Sequence, residues 1–461
     1  MSQTDTIAAI ATARGQAALA IVRTSGPEAI DVANRCFRGT DLTEVASHTA
    51  HVGYLVDDGR EDIDQVVVTV FRAPNSATGE NLVEVSCHGG DLAPQLVLES
   101  LLNHGARMAE PGEFTERAFL NGKMDLAQAE AVADLIHASS TRAHQASLRH
   151  LQGRYSERLE DLREELLDLC SLLELEIDFS EEDVDFADRE RLEALLDEAE
   201  SLLDDLLATY RTGEALRDGV RVVIGGRPNA GKSTLLNALV GRDRAIVSET
   251  PGTTRDEIEA EAELDGFLFR FVDTAGLRET SNQIEAEGVR RAERSIEQAD
   301  VLLYVYDLSM GLDTEEVDFL QRVAQDKSAV KPILVGNKDD LVDDPPVADI
   351  ADIPAFRLSA TEAREDPDVL EPLIGRLTSI VTESLRRPDA SVVVMNQRHR
   401  QHLSDARDAV QSAREALEMG ISGDMLTLDL RDALHELGAI TGEITNEDVL
   451  DQIFSRFCIG K

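Results

Sequence analysis

Residues 220–239 read VRVVIGGRPNAGKSTLLNAL: an apolar strand pattern runs directly into a glycine-rich loop, and a helical pattern follows. The loop holds Gly226-x4-Gly231-Lys232-Ser233, which is the spacing of a phosphate-binding loop. Glycines let backbone N–H groups approach phosphates at a helix N-terminus, where the helix dipole favours negative charge. The stretch predicts a nucleotide-binding α/β domain in which Lys232 neutralises the β- and γ-phosphates and the Ser233 hydroxyl binds Mg²⁺.

A second segment, VDTAG at residues 272–276, follows a run of apolar residues. The Asp273 carboxylate is placed at a predicted strand end, where it suits the outer coordination of the magnesium ion, and the N–H of Gly276 is placed to sense the γ-phosphate. Leu277 comes next, where Ras-like GTPases carry a glutamine that orients the attacking water. Because leucine cannot orient water, hydrolysis must be slow or must use another group downstream.

Two later segments have the properties of a guanine-binding site. In ILVGNKDD, Asn337, Lys338 and Asp340 lie at the predicted end of a strand. A carboxylate there accepts hydrogen bonds from both N1–H and the 2-amino group of guanine, a donor pair that adenine lacks. The SAT segment at residues 359–361 then supplies a loop at the base edge. Four ordered motifs on an alternating strand and helix background predict a GTP-binding domain.

The loop between the first two motifs reads AIVSETPGTTRDEIE and is crowded with small oxygen ligands. Thr254 is placed to supply a second hydroxyl to Mg²⁺ when the loop closes. Hard oxygen ligands near the phosphates have the chemistry to hold a monovalent cation, and they are Asn229, Ser248, Thr250, Gly252 and Thr253. A polar switch loop that binds no ion explains the same residues.

The chain is strongly acidic. Its 461 residues include 45 Lys and Arg against 89 Asp and Glu, which gives a net charge of −44, and its hydrophobic fraction of 42% supports packed cores. Nucleic-acid binders are usually basic, so charge alone argues against an RNA partner. A salt-rich cytoplasm screens charge over a few ångströms. We favour a halophilic source, and under that interpretation the net charge says little about partners.

Neither a targeting segment nor a disulfide framework is predicted. The N-terminus carries Asp5 where a signal peptide needs positive charge, and no run approaches the roughly 20 apolar residues of a membrane helix. The four cysteines, Cys36, Cys87, Cys170 and Cys458, are scattered and form no CxxC pair. We therefore expect a cytoplasmic protein that has no membrane partner.

The pattern along the chain predicts a multidomain α/β and all-α protein. Residues 1–121 alternate β-rich and helical runs, as in an α+β domain. A helical domain at residues 122–216 and 385–461 is interrupted by an inserted, doubly wound α/β P-loop domain at residues 217–384. One helical face is predicted by the 3.6-residue apolar spacing of Leu192, Leu195, Leu196, Ala199, Leu202, Leu203 and Leu206.

The chain ends RFCIGK, which places Cys458 in a terminal segment of the kind that normally frays. Prenylation fits poorly because Gly460 and Lys461 replace the residues that a C-terminal prenylation box requires. A cysteine that merely packs at a helix end is a second interpretation. A flexible thiol delivered into an active site is the third, and the residues alone leave these last two open.

Together these segments resemble one family along essentially the whole chain: the tRNA modification GTPases MnmE, also called TrmE, whose G domain is of the TrmE-Era-EngA type. The resemblance is carried by DTIAAIAT, IVRTSG, PGEFTERAFLNGKMDLAQAEAVADLI, GRPNAGKSTLLNAL, AIVSETPGTTRD, DTAGLRET and the ending IFSRFCIGK. It implies a GTP hydrolase, acting on an acid anhydride, that is coupled to tRNA wobble uridine modification. It also implies an N-terminal domain that is similar to folate-dependent aminomethyltransferases.

The resemblance assigns roles in the G domain. Glu285 aligns with the family's catalytic glutamate, which orients water past Leu277. The implied magnesium ligands are Ser233 and Thr254, and the implied potassium ligands are Asn229, Ser248, Thr250 and Thr253. The potassium ion would play the part of an arginine finger. The full set of predicted GTP-binding residues is Asn229, Ala230, Gly231, Lys232, Ser233, Thr234, Ser248, Glu249, Thr250, Pro251, Gly252, Thr253, Thr254, Asp273, Thr274, Ala275, Gly276, Asn337, Lys338, Asp340, Ser359, Ala360 and Thr361.

For the N-terminal domain the resemblance implies a bound 5-formyl-tetrahydrofolate or a related tetrahydrofolate. The implied folate-binding residues are Arg23, Glu80, Lys123 and Lys461. Where the family usually has P-x-S-Y-T-G-E-D, this chain has PNSATGEN, with Ala77 and Asn81 in place of a tyrosine and an aspartate. The resemblance further implies that Cys458 is catalytic and acts near the folate and the flipped wobble uridine.

The resemblance implies a potassium-activated, homodimeric GTPase that forms a heterotetramer with an FAD-containing partner, MnmG (GidA). The pair would install a 5-carboxymethylaminomethyl or 5-aminomethyl group on the wobble uridine, position 34, of certain tRNAs. One alternative is a regulatory or ribosome-assembly GTPase without modification chemistry. Another is a folate enzyme with a vestigial G domain, against which the intact phosphate, magnesium and base motifs argue. The CIGK ending and the folate-like domain favour the modification enzyme, because a switch needs neither.

Overall fold

The computed structural model describes residues 5–178, 189–242, 259–273, 295–296, 298–325, 330–343, 348–350, 352–382, 393–420 and 423–461. The chain divides into two compact units. The first unit holds the described residues of 1–133, 150–188 and 416–461, and the second holds those of 134–149 and 189–415. A search of the described helices for a long, apolar, membrane-crossing segment finds none.

The elements are numbered along the chain. The strands are β1 (Ile7–Ile10), β2 (Leu19–Ser25), β3 (Phe37–Arg38), β4 (Thr49–Val56), β5 (Asp62–Phe71), β6 (Leu82–His88), β7 (Arg107–Met108), β8 (Val220–Gly225), β9 (Glu259–Leu264), β10 (Phe267–Asp273), β11 (Val301–Asp307), β12 (Lys331–Asn337) and β13 (Ala355–Arg357). The helices are α1 (Ala29–Cys36), α2 (Ala93–Asn103), α3 (Glu113–Leu120), α4 (Leu126–His137), α5 (Thr141–Leu151), α6 (Arg154–Asp178), α7 (Arg189–Ala208), α8 (Tyr210–Asp218), α9 (Lys232–Arg242), α10 (Thr314–Gln325), α11 (Glu371–Thr382), α12 (Gln397–Glu418), α13 (Gly423–Thr441) and α14 (Glu447–Phe454).

A seven-stranded sheet forms the centre of the first unit, in the order β3-β4-β5-β6-β2-β1-β7. Its neighbouring strands are antiparallel except for β1 and β7, which run parallel. Along β5, Val66, Val68 and Val70 are buried and alternate with more exposed residues, because successive side chains of a strand point to opposite faces. Helices α1 and α2 contribute Ala33 and Val97 to the core on the buried face.

The other face of this sheet carries apolar side chains that remain exposed. Val52 of β4 lies directly opposite Val67 of β5, and these side chains are 66% and 39% exposed. Tyr54 of β4 and Leu19 of β2 lie on the same face and are 39% and 63% exposed. We call these four residues the open sheet face; exposed apolar side chains that share one sheet face are a feature of interaction sites.

Helices α6 and α13 pack against each other in the first unit. Arg163 of α6 pairs with Glu443, just after α13, at 2.6 Å, and Glu174 of α6 pairs with Arg431 of α13 at 2.6 Å. The residue numbers increase in opposite directions across the two pairs, so the helices are antiparallel. Both pairs reach solvent, and pairs of this kind contribute at most about 1 kcal/mol each, so the apolar faces supply most of the stability.

The C-terminal segment is part of the first unit's packing. Phe454 and Phe457 share a buried apolar cluster with Leu126 and Ala129 of α4. The backbone N–H of Phe114 donates to the carbonyl oxygen of Lys461 at 3.1 Å. The expectation that the terminal residues fray is therefore wrong, because buried aromatic side chains and backbone hydrogen bonds fix this segment.

A six-stranded sheet forms the centre of the second unit, in the order β13-β12-β11-β8-β10-β9. All neighbouring strands are parallel except β9 and β10. Both faces are covered, so a strand such as β11 reads as one apolar run, VLLYVYD. Leu303 of β11 joins the core that α9 and α11 cover, whereas Leu302 joins the core that Leu320 of α10 covers.

Helix α7 shows the predicted apolar face. Five of the seven predicted residues are buried, namely Leu192, Leu196, Ala199, Leu203 and Leu206, and Leu195 and Leu202 are half-buried.

At the N-terminus of α5, the Arg142 side chain lies over the Phe267 ring at 4.4 Å, and its Nε donates to the carbonyl of Asp265 at 3.0 Å. A cation–π contact and a hydrogen bond therefore hold α5 against the turn between β9 and β10.

Two helical glycines provide a matched test of packing in the second unit. A Cβ on Gly213, in α8, would lie 2.0 Å from the carbonyl oxygen of Val394, whereas a Cβ on Gly375, in α11, would meet no atom within 4 Å. Alanine is favoured over glycine inside a helix by roughly 0.5–1 kcal/mol, but overpacking costs about 1–3 kcal/mol. We therefore expect Gly213→Ala to lower the midpoint of thermal unfolding and Gly375→Ala to maintain or raise it.

A Gly213→Ala chain that unfolds at or above the wild-type temperature would contradict the close contact with Val394. The Gly375→Ala chain shows that a methyl group added to a helix of the same unit is tolerated where space exists.

Candidate functional site

The loop between β8 and α9 approaches other backbone and side-chain atoms so closely that two positions require glycine. Gly226 has φ +132°, and a Cβ there would lie 2.0 Å from the carbonyl oxygen of Val305. Gly231 has φ +95°, and a Cβ there would lie 2.1 Å from Nδ2 of Asn337. Both glycines of the phosphate-binding pattern are thus explained by the space around them.

Lys232 begins α9 and holds the loop closed. Its Nζ donates to the carbonyl oxygens of Gly226 and Arg227 at 2.9 and 2.8 Å, and the residue is only 6% exposed. A buried ammonium group needs such partners. The contacts fix the positive charge inside the curve of the loop, at the N-terminus of a helix, where an anion is favoured.

A single buried amide joins the phosphate-binding loop to the predicted base loop. Nδ2 of Asn337 donates to the carbonyl oxygen of Ala230 at 2.7 Å, and its Oδ1 accepts from the backbone N–H of Ala360 at 2.9 Å. Asn337 is 3% exposed, and Ser359 and Ala360 are 2% exposed. The sequence predicts Asn337 at the base and gives no indication of this structural role.

The remaining base-site residues lie at the end of β12. Lys338 has a left-handed backbone with φ +68°, and its Nζ pairs with Oδ2 of Asp307 at 2.6 Å. Burial opposes ionisation of Asp307, but hydrogen bonds from Lys338 and Ser309 outweigh it and hold the pKa of that carboxyl below its usual value. Asp340 is exposed in the short 3₁₀ helix Asp339–Leu341, which leaves its carboxylate accessible.

The first unit brings the four predicted folate residues into one connected region. Arg23 lies over the Phe114 ring at 5.8 Å, and the backbone N–H of Phe114 donates to Lys461. Ser25, two residues after Arg23, donates to Oε2 of Glu80 at 2.8 Å. Next to Glu80, a Cβ on Gly79 would lie 3.3 Å from Cγ of Lys123. Lys123 itself donates to the carbonyl oxygen of Pro74 at 3.1 Å, and Arg23 pairs with Glu84 at 2.7 Å.

Glu80 is held by a buried arginine that the sequence-based interpretation missed. Arg117, whose side chain is 7% exposed, pairs with Glu80 at 3.2 Å, with Glu113 at 2.9 Å and with Asp5 at 2.7 Å. Burial opposes ionisation of Glu113, but hydrogen bonds from Arg107, Glu110 and Arg117 outweigh it and hold the pKa of that carboxyl below its usual value. The only signal in the sequence was the position of Arg117 within PGEFTERAFLNGK.

The terminal thiol occupies a fixed position beside this region. Gly112 donates to the carbonyl oxygen of Cys458 at 3.5 Å, and Pro111 and Ile459 form an antiparallel bridge. Gly460 has φ +94°, and a Cβ there would lie 2.4 Å from the carbonyl oxygen of Ile10. The Cys458 side chain is exposed. The structure thus presents the thiol on an ordered segment, not on a flexible tail.

Comparisons with known proteins agree along the whole chain. A model of the MnmE helical domain matches residues 126–458, and a model of the N-terminus of the GTP-binding protein TrmE matches residues 6–123. The tRNA modification GTPase MnmE of Salinibacter ruber is 75% identical over 461 residues, which cover all of both chains. The MnmE proteins of Chlorobium phaeobacteroides and Cytophaga hutchinsonii are 46% and 44% identical, over 100% of this chain and 98% of theirs.

This chain belongs to the MnmE family of tRNA modification GTPases. The prediction of the MnmE family is confirmed, and so is the predicted multidomain fold of an N-terminal domain, a helical domain and a P-loop domain. The prediction of a GTP hydrolase that takes part in tRNA modification is confirmed at the level of the family.

Part of the predicted nucleotide site of this MnmE family member lies outside the described residues, namely Ser248, Glu249, Thr250, Pro251, Gly252, Thr253, Thr254, Thr274, Ala275, Gly276, Leu277 and Glu285. Asp273 ends β10, and its backbone is the neighbour of Ile224 in the parallel pair of β10 and β8. The strand that carries Asp273 therefore ends beside the strand that enters the phosphate-binding loop.

The described donors of the MnmE site fit hard cations. Ser233 is exposed in the first turn of α9, and Asn229 is exposed with a left-handed φ of +62°. Hydroxyl and amide oxygens are ligands that magnesium and other hard cations accept. Within the ranges that the structure describes, no cluster of three or more His, Cys, Asp or Glu side chains is arranged to hold a metal.

The environment of the thiols predicts a simple titration. Cys36, Cys87 and Cys170 are buried and Cys458 is exposed, and burial raises the pKa of both Cys36 and Cys87 to about 11. Because the thiolate is the reacting species, we expect one thiol per native chain to react rapidly with Ellman's reagent and four after unfolding in guanidinium chloride. Cys458→Ser should remove the rapid phase, whereas Cys170→Ser should retain it. A rapid phase that persists in Cys458→Ser would mean that another thiol is accessible.

Proposed function

We propose that this chain hydrolyses GTP and couples the hydrolysis to modification of the wobble uridine of certain tRNAs. With an FAD-containing partner, MnmG (GidA), it would install a 5-carboxymethylaminomethyl or 5-aminomethyl group at C5. One observation carries the proposal: the chain that holds the phosphate and base motifs also presents Cys458, exposed and fixed, beside the region of the predicted folate residues. A regulatory or ribosome-assembly GTPase has no use for such a thiol.

In the G domain, the proposed role of each residue follows from its chemistry. Lys232 and the backbone N–H groups of its loop hold the β- and γ-phosphates, and Asp340 accepts the two donors of guanine. Ser233 and Thr254 would hold Mg²⁺, which neutralises charge on the phosphates. Glu285 would orient the attacking water in place of the glutamine that Leu277 replaces. Positions 359–361 line the base edge.

The phosphate-binding loop also supports the proposal of a potassium ion. Arg227 is the other cation of the loop, and its guanidinium is paired with two carboxylates, those of Asp313 and Glu316, at 2.5 Å each. It is therefore held by other charges and is poorly placed to serve as an arginine finger. We assign the stabilising positive charge to K⁺ bound by the Asn229 amide and by loop oxygens, with Ser248, Thr250 and Thr253 as the proposed further ligands.

In the first unit we propose a tetrahydrofolate site at Arg23, Glu80, Lys123 and Lys461. Cations near a folate's glutamate tail are favourable, because the tail carries carboxylates. The departure at Asn81 has a structural explanation: its Oδ1 accepts from the backbone N–H of Ala73 at 3.1 Å, and its Nδ2 donates to Pro27 at 3.4 Å. Asn81 thus braces the loop that carries Glu80, so a residue other than aspartate is compatible with the site.

We further propose that the protein is a cytoplasmic homodimer that assembles with MnmG into a heterotetramer. The open sheet face supports a dimer of N-terminal domains, because exposed valine, tyrosine and leucine side chains on one sheet are costly to leave in water. GTP-driven closure of the G domains would then bias one of two conformations of the assembly.

The function is tested by nucleoside mass spectrometry on bulk tRNA from four strains: wild type, a deletion, Cys458→Ser and Cys170→Ser. We expect the 5-substituted wobble uridines to disappear in the deletion and in Cys458→Ser and to persist in Cys170→Ser, whose lost thiol is buried. Persistence in the deletion would favour the switch or assembly GTPase. If the 5-substituted uridines disappear in the deletion but persist in Cys458→Ser, the modification function stands and the Cys458 thiol takes no part in its chemistry.

The cation is tested by steady-state GTP hydrolysis in KCl and in NaCl at the same ionic strength. We expect the rate in KCl to be at least about tenfold higher, since a fixed positive charge beside the γ-phosphate stabilises the transition state. Asn229→Ala should remove the difference. Asn237→Ala, which changes an exposed asparagine of α9, should retain it. Equal rates of the wild-type chain in the two salts would exclude a potassium-specific role.

A further inference from the structure

Arg227 is the first residue after Gly226 in the phosphate-binding loop, and its side chain leaves the loop to meet two carboxylates. Its Nη2 lies 2.5 Å from Oδ2 of Asp313 and 2.5 Å from Oε2 of Glu316. Both acids lie at the N-terminus of α10, 86 and 89 residues further along the chain. The guanidinium therefore connects the loop to a separate helix of the second unit.

The carboxylates of Asp313 and Glu316 are held in place by contacts that do not involve Arg227. The backbone N–H of Glu316 donates to Oδ1 of Asp313 at 2.9 Å, and the backbone N–H of Asp313 donates to Oε2 of Glu316 at 2.9 Å. This reciprocal pattern is a capping box, which fixes both side chains at the start of a helix. Tyr304 adds a third contact, since its hydroxyl donates to Oε1 of Glu316 at 2.7 Å.

Tyr304 connects this network to β8, the strand that enters the phosphate-binding loop. It lies opposite Gly225 in the parallel pair of β11 and β8. Burial and the hydrogen bond to Glu316 raise the pKa of Tyr304, so its hydroxyl stays protonated and remains a donor. The loop is thereby bounded on one side by backbone packing at Gly226 and on the other by the Arg227 ion pairs.

The backbone of Arg227 connects this network to the phosphate-binding lysine. Its carbonyl oxygen accepts from Nζ of Lys232 at 2.8 Å, while its side chain is held by Asp313 and Glu316. The Arg227 carbonyl group, which helps to place the Lys232 ammonium group, is thus anchored by the guanidinium of the same residue.

A surface ion pair of no consequence is the competing interpretation. Exposed pairs contribute at most about 1 kcal/mol and are screened by salt. Here the Glu316 side chain is 10% exposed, and that of Arg227 is 34% exposed. Two carboxylates that share one guanidinium would repel each other without it. The buried Glu316 carboxylate therefore favours an interaction that keeps part of its strength in salt, whereas the Asp313 side chain is 54% exposed and its pair with Arg227 is screened.

We infer that Arg227, Asp313 and Glu316 form a cross-tie that positions Lys232 for the phosphates of the nucleotide. The inference rests on the proposed GTP hydrolysis at the same site. Arg227 and Glu316 act as positioning residues: their effect reaches the nucleotide through the carbonyl oxygen of Arg227 and the ammonium group of Lys232. Loss of the tie frees that carbonyl and weakens the grip on the β-phosphate, which GTP and GDP share.

The test is a double-mutant cycle on GDP affinity, measured by fluorescence with a labelled GDP. Arg227→Met keeps the length of the side chain and removes its charge. In the wild-type background we expect it to raise the Kd for GDP at least about fivefold. In a Lys232→Ala background it should produce no further change, because the group through which it acts is gone. Arg227→Lys should restore part of the affinity, since an ammonium group still pairs with Glu316 but lacks the planar fork.

Two further variants keep the test decisive. Glu316→Gln removes the negative charge that pairs with Arg227 and should also raise the Kd for GDP. It replaces Arg227→Met if the Arg227→Met chain does not fold. Arg322→Met, on the same helix α10 but remote from the tie, should leave the Kd unchanged. Equal losses in the wild-type and Lys232→Ala backgrounds, or no loss at all, would overturn the cross-tie. Absence of GDP binding by the wild-type chain would instead overturn the proposed function.

Discussion

The buried amide of Asn337 is the contact on which the nucleotide site depends. It donates to Ala230 of the phosphate-binding loop and accepts from Ala360 of the predicted base loop, so one side chain sets the distance between these two loops. Gly231 lacks a Cβ because this amide occupies the space. An unpaired buried amide costs about 1–3 kcal/mol, which makes any rearrangement that separates the two loops unfavourable.

The sequence predicted the parts of the fold that depend on local pattern. The β8 to α9 turn, the apolar face of α7 and the order of the GTPase motifs all follow from neighbouring residues whose spacing is visible. Contacts that join distant residues were not predictable in this way. Arg227 could pair with any of 89 acids, and only the topology that sets α10 beside the loop selects Glu316. Likewise, nothing near Lys338 in the chain points to Asp307.

The C-terminal segment shows the same limit. Position at the end of the chain predicts a frayed segment, but Phe457 is buried and Gly460 lies against Ile10, about 450 residues earlier. A prediction based on position along the chain treats the C-terminal residues as isolated, whereas the fold supplies packing and hydrogen-bond partners for them. Because the backbone of Cys458 is held at Gly112, the thiol is placed by packing, and the proposed chemistry would require no ordering of a loose tail.

The acidic composition agrees with the pairing of cations in and around both candidate sites. Arg23, Arg117, Arg227 and Lys338 each meet a carboxylate within 3.2 Å. Such pairs position the cation but neutralise its charge at a distance. Under the proposed function, phosphate oxygens in the nucleotide site would depend on Lys232, on backbone N–H groups and on added cations for compensation. The proposed Mg²⁺ and K⁺ would contribute more to an acidic chain of this kind than to a basic one, because the cations named above are already paired with carboxylates.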